Sequence, residues 1–237
     1  MATKAQPLRR PMLVSFSGLD GSGKSTQIEN LREVLGNLGL SNKLLAFWDD
    51  VVVGKRYREG FVHRVYKSEK GIGAPDKPVD RRDKNVRAWY LSIARHGLYL
   101  VDAIHLRMVV VRARRARVDV VVMDRYIYDE LANLPIESTL TRAFIRAVDR
   151  FVPKPDVAYL LDADPVAARA RKPEYPVDFM HQCRHAYFTL ASMLGHMTTI
   201  PPLPLSEAKR EVEQAFYRAL NQASTGKTAE LDTASAA

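Results

Sequence analysis

The sequence predicts one α/β domain built on a parallel sheet, and three features carry that prediction. A short apolar strand, Met12 to Ser17, runs straight into a glycine-rich turn. Beyond the turn, Ile28, Leu31, Val34, Leu35 and Leu38 recur at the spacing of one buried helical face. A β-branched run within Val118 to Met123 then has the composition of a strand covered on both sides. Strand, glycine turn, helix and strand in succession make a βαβ unit, which requires a parallel pair and a right-handed crossover.

The remaining elements follow in order. The first helix spans about Lys24 to Leu38, with Gly36 and Gly39 marking its end. Lys43 to Trp48 is the second strand. Residues 49–86 break the pattern: rich in Gly, Pro, Lys, Arg and Asp, they read as an irregular insertion. A long helix over 85–112 has no proline to stop it, and it precedes the Val118 strand. Leu140 to Phe151 is a further helix, and Val157 to Leu161 the fourth strand. Asp164 before Pro165 has the order of an N-cap and first helical position, opening a helix through Val166 to Arg171. Pro173 and Pro176 precede a helix from Phe179 to Leu194. Met197 to Ile200 is the last strand and Ser206 to Leu220 the closing helix. The expected organisation is a flexible segment 1–11, a single domain over 12–222 and a disordered tail over 223–237.

Composition narrows the class. With 46% hydrophobic and 27% charged residues, the chain is expected to pack a soluble core rather than stay disordered. Its one cysteine, Cys183, cannot form an internal disulfide, which favours a reducing compartment and a cytoplasmic location. No targeting segment stands out, and the longest apolar stretches are too short to span a bilayer. The net charge of +9 fits an arginine-rich surface that attracts phosphates. Arg107, Arg112, Arg114, Arg115 and Arg117 cluster without an aromatic stacking motif, so nucleic acid is not an expected partner.

The chemistry is carried by Gly18-Leu19-Asp20-Gly21-Ser22-Gly23-Lys24-Ser25, followed by Thr26. It satisfies G-x-x-x-x-G-K-[ST] and sits between a predicted strand and a predicted amphipathic helix. Glycines allow backbone amides to approach phosphate with no Cβ in the way, and the helix start adds its N-terminal donors and dipole. Lys24 supplies a point charge for the β- and γ-phosphates, and the Ser25 hydroxyl suits Mg²⁺. Gly18 and Asp20 to Thr26 are therefore the expected ATP site, with ATP and Mg²⁺ as the expected ligands.

Further motifs resemble the thymidylate kinase family of nucleoside monophosphate kinases. Phe16 to Thr26 is similar to that family's loop, including the aspartate before the second glycine. Asp124-Arg125-Tyr126 after the valine strand is similar to its D-R-Y motif, and Leu160-Leu161-Asp162 leading into Asp164-Pro165 to its next strand and turn. Phe179, Arg184, Tyr187, Leu190 and Ala191 match its F-x-x-x-x-R-x-x-Y-x-x-L-A helix. The resemblance implies a P-loop NTPase fold: a five-stranded parallel sheet with helices on both faces and a short arginine-bearing lid, here 169–178.

It also implies roles. Asp20 would lie beside the phosphates and the acceptor sugar, Asp124 would join Ser25 at the metal, and Arg125 would grip the acceptor phosphate. Arg95 falls near the helix arginine that reads the base, and Leu91 where an aromatic residue stacks on it. Arg169, Arg171 and Lys172 are the lid candidates for stabilising the transferring group. Such cations make physical sense, since two polyanions must approach each other and arginine can fork onto phosphate.

The acceptor side departs from the family. Its R-E-P-G-G type turn is replaced by Phe47-Trp48-Asp49-Asp50, and its serine after D-R-Y corresponds to Asp129, an acidic candidate on the acceptor side. The expected activity is transfer to a nucleoside monophosphate such as dTMP. The alternatives are a related kinase of another phosphate- or hydroxyl-bearing acceptor, and a regulatory or nucleic-acid-associated P-loop ATPase. No N-K-x-D guanine-reading motif is present. A homodimer is an expectation of the resemblance; the stripe Leu98, Val101, Ile104 and Met108 would serve it, or equally pack on the sheet. Asp162 either takes part in the site or satisfies loop amides. His96, His105, His181 and His185 lack metal-ligand spacing and read as surface or core histidines, and Cys183 as buried and inert.

Overall fold

The computed structural model describes residues 8, 10–53 and 89–234, without the side chains of 89–94 and 225–234. Expectations for 54–88 lie outside those residues, including most of the insertion and the predicted start of the long helix.

Five strands form one all-parallel sheet in the order β2-β3-β1-β4-β5. β1 (Met12–Gly18) is central, between β3 (Val120–Asp124) and β4 (Val157–Leu161); β2 (Asn42–Ala46) and β5 (Met197–Ile200) form the edges. Successive side chains alternate between the faces. Leu13, Leu45, Val121, Met123, Ala158 and Leu160 enter one core, whereas Met12, Val14, Phe16, Val120, Val122 and Tyr159 enter the other. Both faces are buried, and Val120 to Met123 contains no polar position.

The second core is closed by α1 (Lys24–Asn37), through Ile28, Leu31 and Leu35, and by Val212, Phe216 and Leu220 of the closing helix α7 (Leu205–Ala234). The first core is covered by four helices: α2 (Trp89–Arg115), α3 (Ile127–Leu131), α4 (Thr139–Phe151) and α6 (Val177–Leu194). Between β4 and α6 lies α5 (Pro165–Arg171), where Asp164 accepts the Ala167 amide at 2.8 Å, the N-cap bond its sequence called for.

Several boundaries differ from expectation for local reasons. β2 ends at Ala46, because Phe47–Val51 winds into a single π-helical turn and the Asp50 carboxylate takes the Ala46 amide at 2.7 Å. β3 starts at Val120, since Asp119 turns to accept from the Ser41 amide at 2.8 Å and the Ser41 hydroxyl at 2.6 Å. The closing helix does not stop at Leu220 but runs to Ala234, into the segment expected as a tail; no proline follows Pro204 to end it. Near the other end, Arg10 donates from Nη1 to Asp156 at 3.1 Å, inside the segment expected to be flexible.

α2 buries a different stripe from the one singled out in the sequence. Tyr99, Ala103, Leu106 and Val110 face the sheet core, while Leu98, Val101, Ile104 and Met108 are each 40–45% exposed. Packing on the sheet therefore does not account for that second stripe. Among the described residues, no helix is long and apolar enough to cross a membrane.

Candidate active site

The loop between β1 and α1 lies at the carboxyl ends of the strands, with β1 bordered by strands on either side, the usual crevice for ligands in open α/β sheets. Two of its glycines are demanded by close contacts. A Cβ on Gly18 would stand 2.3 Å from the carbonyl oxygen of Leu161, its partner in the β1–β4 register. One on Gly21, whose φ is +81°, would stand 2.4 Å from the carbonyl oxygen of Ala168 in α5. The loop thus packs backbone to backbone against α5, and Arg171 Nε donates to the Gly21 carbonyl at 2.8 Å.

Gly21→Ala is expected to cost at least about 2 kcal/mol, from left-handed strain plus overpacking, and to push α5 off the loop. Urea denaturation measures the first effect, and a fall in kcat larger than the stability loss explains measures the second.

Lys24 is 7% exposed, and its ammonium donates to the carbonyls of Gly18 at 2.9 Å and Leu19 at 2.7 Å. Burial lowers its pKa to about 8, with the Arg125 charge adding to the shift against Asp20, Asp129 and Asp124. The Ser22 hydroxyl and Arg169 Nε are both buried and find no hydrogen-bond partner among the described residues. An unsatisfied buried polar group costs roughly 1–3 kcal/mol, so these donors suit an oxygen-rich anion. A glycine cradle, an ammonium and two unpaired donors fit the phosphates of a nucleotide.

Ser25 and Thr26 follow on the exposed side of α1. Asp124 ends β3 in register with Phe16, two residues before the loop. A hydroxyl and a carboxylate are hard oxygen donors of the kind Mg²⁺ takes. Among the described residues, no group of three or more His, Cys, Asp or Glu could hold a metal. A magnesium ion here would therefore depend on phosphate oxygens and water for most of its ligands.

Arg125 has φ 65°, in the left-handed region that costs a non-glycine residue roughly 1–3 kcal/mol. Its amide donates to the Phe16 carbonyl at 3.0 Å, which locks the turn onto β1. The guanidinium is bracketed by two carboxylates: Nη2 donates to Asp20, and Nη1 to Asp129 at 3.2 Å. Burial works against its charge, but Asp129 and Asp20 outweigh that and raise its pKa.

Gly18, Leu19, Asp20 and Arg125 line a cleft of about 1350 Å³. Its walls come from Arg95 and His96 of α2, the stretch from Ala132 to Leu140, and Phe179, Cys183 and Ala186 on α6. Of the sequence candidates, Asp20, Arg95 and Arg125 meet here. Arg169 and Arg171 lie on α5, whose Ala168 and Arg171 touch the loop at Gly21. The side chain of Leu91 is outside the described residues.

Asp129 does not line the cleft. It is 5% exposed, and its Oδ2 accepts from the Ser17 hydroxyl at 2.7 Å and the Tyr126 amide at 3.0 Å. Oδ1 accepts from the Tyr187 hydroxyl at 2.7 Å and from Arg125. Burial, with Asp129 beside it, pushes the Tyr187 pKa well up, so the phenol keeps its proton and donates. Bonds to a charged acceptor contribute roughly 1.5–3 kcal/mol each, enough together to offset burying a carboxylate.

Sequence reasoning missed α3 and this network around Asp129. The available signal was the spacing Tyr126-x-x-Asp129, which lets a side chain reach back to the amide that opens a helix. His181 and His185 are exposed and His96 half-buried, and all three border the cleft; Cys183, expected to be buried, is half-buried and borders it too. Asp162 satisfies the Ala163 amide at 2.8 Å and forks with Arg184 through two 2.7 Å bonds, tying the end of β4 to α6.

No protein-family model matches the chain. It is 26% identical over 217 residues to a protein from Archaeoglobus fulgidus named probable thymidylate kinase, covering 89% of this chain and 97% of that one. A thymidylate kinase from Bifidobacterium longum subsp. infantis is 29% identical over 191 residues, covering 76% of this chain and 74% of its own. Among solved structures, thymidylate kinase from Ehrlichia chaffeensis superposes with a TM-score of 0.55 at 16% identity, over 88% of this chain and 99% of that one. That likeness shows a shared fold.

Proposed function

We propose, from the premise that the chain belongs to the thymidylate kinase family, that it transfers the γ-phosphoryl group of ATP to a nucleoside monophosphate, dTMP first among them. The observation that carries this reading is the meeting of two cation sites on one cleft. Gly18, Leu19 and Asp20 of the glycine loop line the same cleft of about 1350 Å³ as Arg125, and Lys24 donates to the carbonyls of Gly18 and Leu19. Simple hydrolysis needs only the first site; an arginine set to fork onto a second phosphate needs an acceptor.

In this mechanism the loop amides and Lys24 hold the β- and γ-phosphates, and Arg125 holds the acceptor phosphate so that its oxygen points at the γ-phosphorus. Positioning and charge neutralisation supply most of the acceleration in such a transfer. Asp20 holds Arg125 from the loop side and stands beside the acceptor sugar. Arg169 and Arg171 act from the lid, 169–178, on the transferring group. Magnesium brought in with ATP would neutralise the β- and γ-oxygens, and Ser25 and Asp124 are the residues that would hold it. Arg95 borders the cleft as the reader of the base. The exposed stripe of Leu98, Val101, Ile104 and Met108 is the face we assign to a homodimer, and the cytoplasm is the compartment that suits a chain whose single cysteine is Cys183.

The test is ADP release from ATP·Mg²⁺ across a panel of acceptors. Turnover with dTMP, and a lower rate with dUMP, is the expected result. Release only with a different phosphate- or hydroxyl-bearing acceptor contradicts the assignment of dTMP. Release with no acceptor, stimulated by nucleic acid, contradicts the kinase reading altogether.

A further inference from the structure

Asp129 occupies the position at which the family carries a serine, and its surroundings differ from those of a substrate ligand. Its two oxygens accept from four donors on three parts of the chain: Ser17 of β1, Arg125 and Tyr126 of the turn after β3, and Tyr187 of α6. A serine hydroxyl, with two lone pairs, could not serve four donors. The carboxylate has no lone pair left for a ligand, and it stands outside the lining of the cleft that Arg125 borders. Guanidinium is planar, so fixing Nη1 against Asp129 fixes the plane of the other nitrogens. Arg125 also sits on a left-handed backbone turn.

We propose that Asp129 is the positioning residue of Arg125: it sets the guanidinium in the plane that the acceptor phosphate requires, with Ser17 and Tyr187 holding the carboxylate in place. The proposal rests on the reading above that Arg125 binds the acceptor phosphate. Asp129 then contributes to acceptor affinity without touching the acceptor, and contributes far less to ATP affinity, where it acts only through the charge it lends Lys24.

Steady-state kinetics with dTMP and ATP test this in four variants. Asp129→Asn keeps the shape but turns an N–H₂ group toward donors, so the KM for dTMP should rise about tenfold while the KM for ATP stays within about twofold. Tyr187→Phe removes one tether and should raise the same KM by about threefold. In an Arg125→Ala background, adding Asp129→Asn should leave the dTMP KM where Arg125→Ala alone puts it. If Asp129→Asn does not accumulate folded, Tyr187→Phe decides. Equal rises in both KM values, an unchanged dTMP KM in Asp129→Asn or Tyr187→Phe, or a further rise in the double variant would each overturn the proposal. A dTMP KM untouched by Arg125→Ala overturns the reading of Arg125 itself, and the proposal with it.

Discussion

Lys24→Ala is expected to lower kcat for phosphoryl transfer by about 10³-fold or more, at the upper end of what removing one preorganised donor does in other enzymes. The ammonium is buried, and its partners, the carbonyls of Gly18 and Leu19, fix it at the base of the loop. The fold should survive, because a buried ammonium with a lowered pKa is already a cost to stability. A thermal melt within a few degrees of the parent, together with lost activity, is the expected pair of results.

The same side chain implies a pH dependence. With a pKa of about 8, the free enzyme carries the ammonium below that value and loses it as pH rises. Phosphates favour the charged form, so ATP affinity should fall with that loss. Between pH 7 and pH 9 the KM for ATP should rise by about tenfold, the change in protonated fraction for a single site. A flat profile would mean that Lys24 stays charged across this range.

Arg125→Ala is expected to raise the KM for the acceptor by about 10²-fold or more, with the KM for ATP changed far less. Two forked bonds from a guanidinium to a phosphate are lost together. The change also leaves Asp20 and Asp129 without their shared cation, and breaking a buried pair from one side costs roughly 3–5 kcal/mol. Arg125→Lys separates these effects: it keeps the charge between the carboxylates but cannot fork. It should recover stability and recover little of the acceptor affinity. Full recovery of both would contradict the geometric part of the argument.

What could be read in the chain and what could not divides on physical grounds. β4 and the glycine loop were legible because each is set by a short local pattern: continuous apolar residues, or glycine where a Cβ cannot fit. α3 was not legible, since five residues are too few to show a helical period. Nor was the network around Asp129, whose partners Ser17 and Tyr187 lie 112 and 58 residues away along the chain. The exposed stripe on α2 was visible as an apolar repeat, but only the packing of Tyr99, Ala103, Leu106 and Val110 shows that the sheet uses another face. The walls of the cleft arise the same way, from α2, α6 and the stretch after α3 meeting in space.

The most direct test of the central claim follows the γ-phosphate itself. With ATP labelled at that position, Mg²⁺ and dTMP, the label should appear in dTDP in step with ADP release, and vanish from it in Lys24→Ala. Label appearing instead as inorganic phosphate, at a rate indifferent to dTMP, would contradict the claim that this cleft joins a donor to an acceptor.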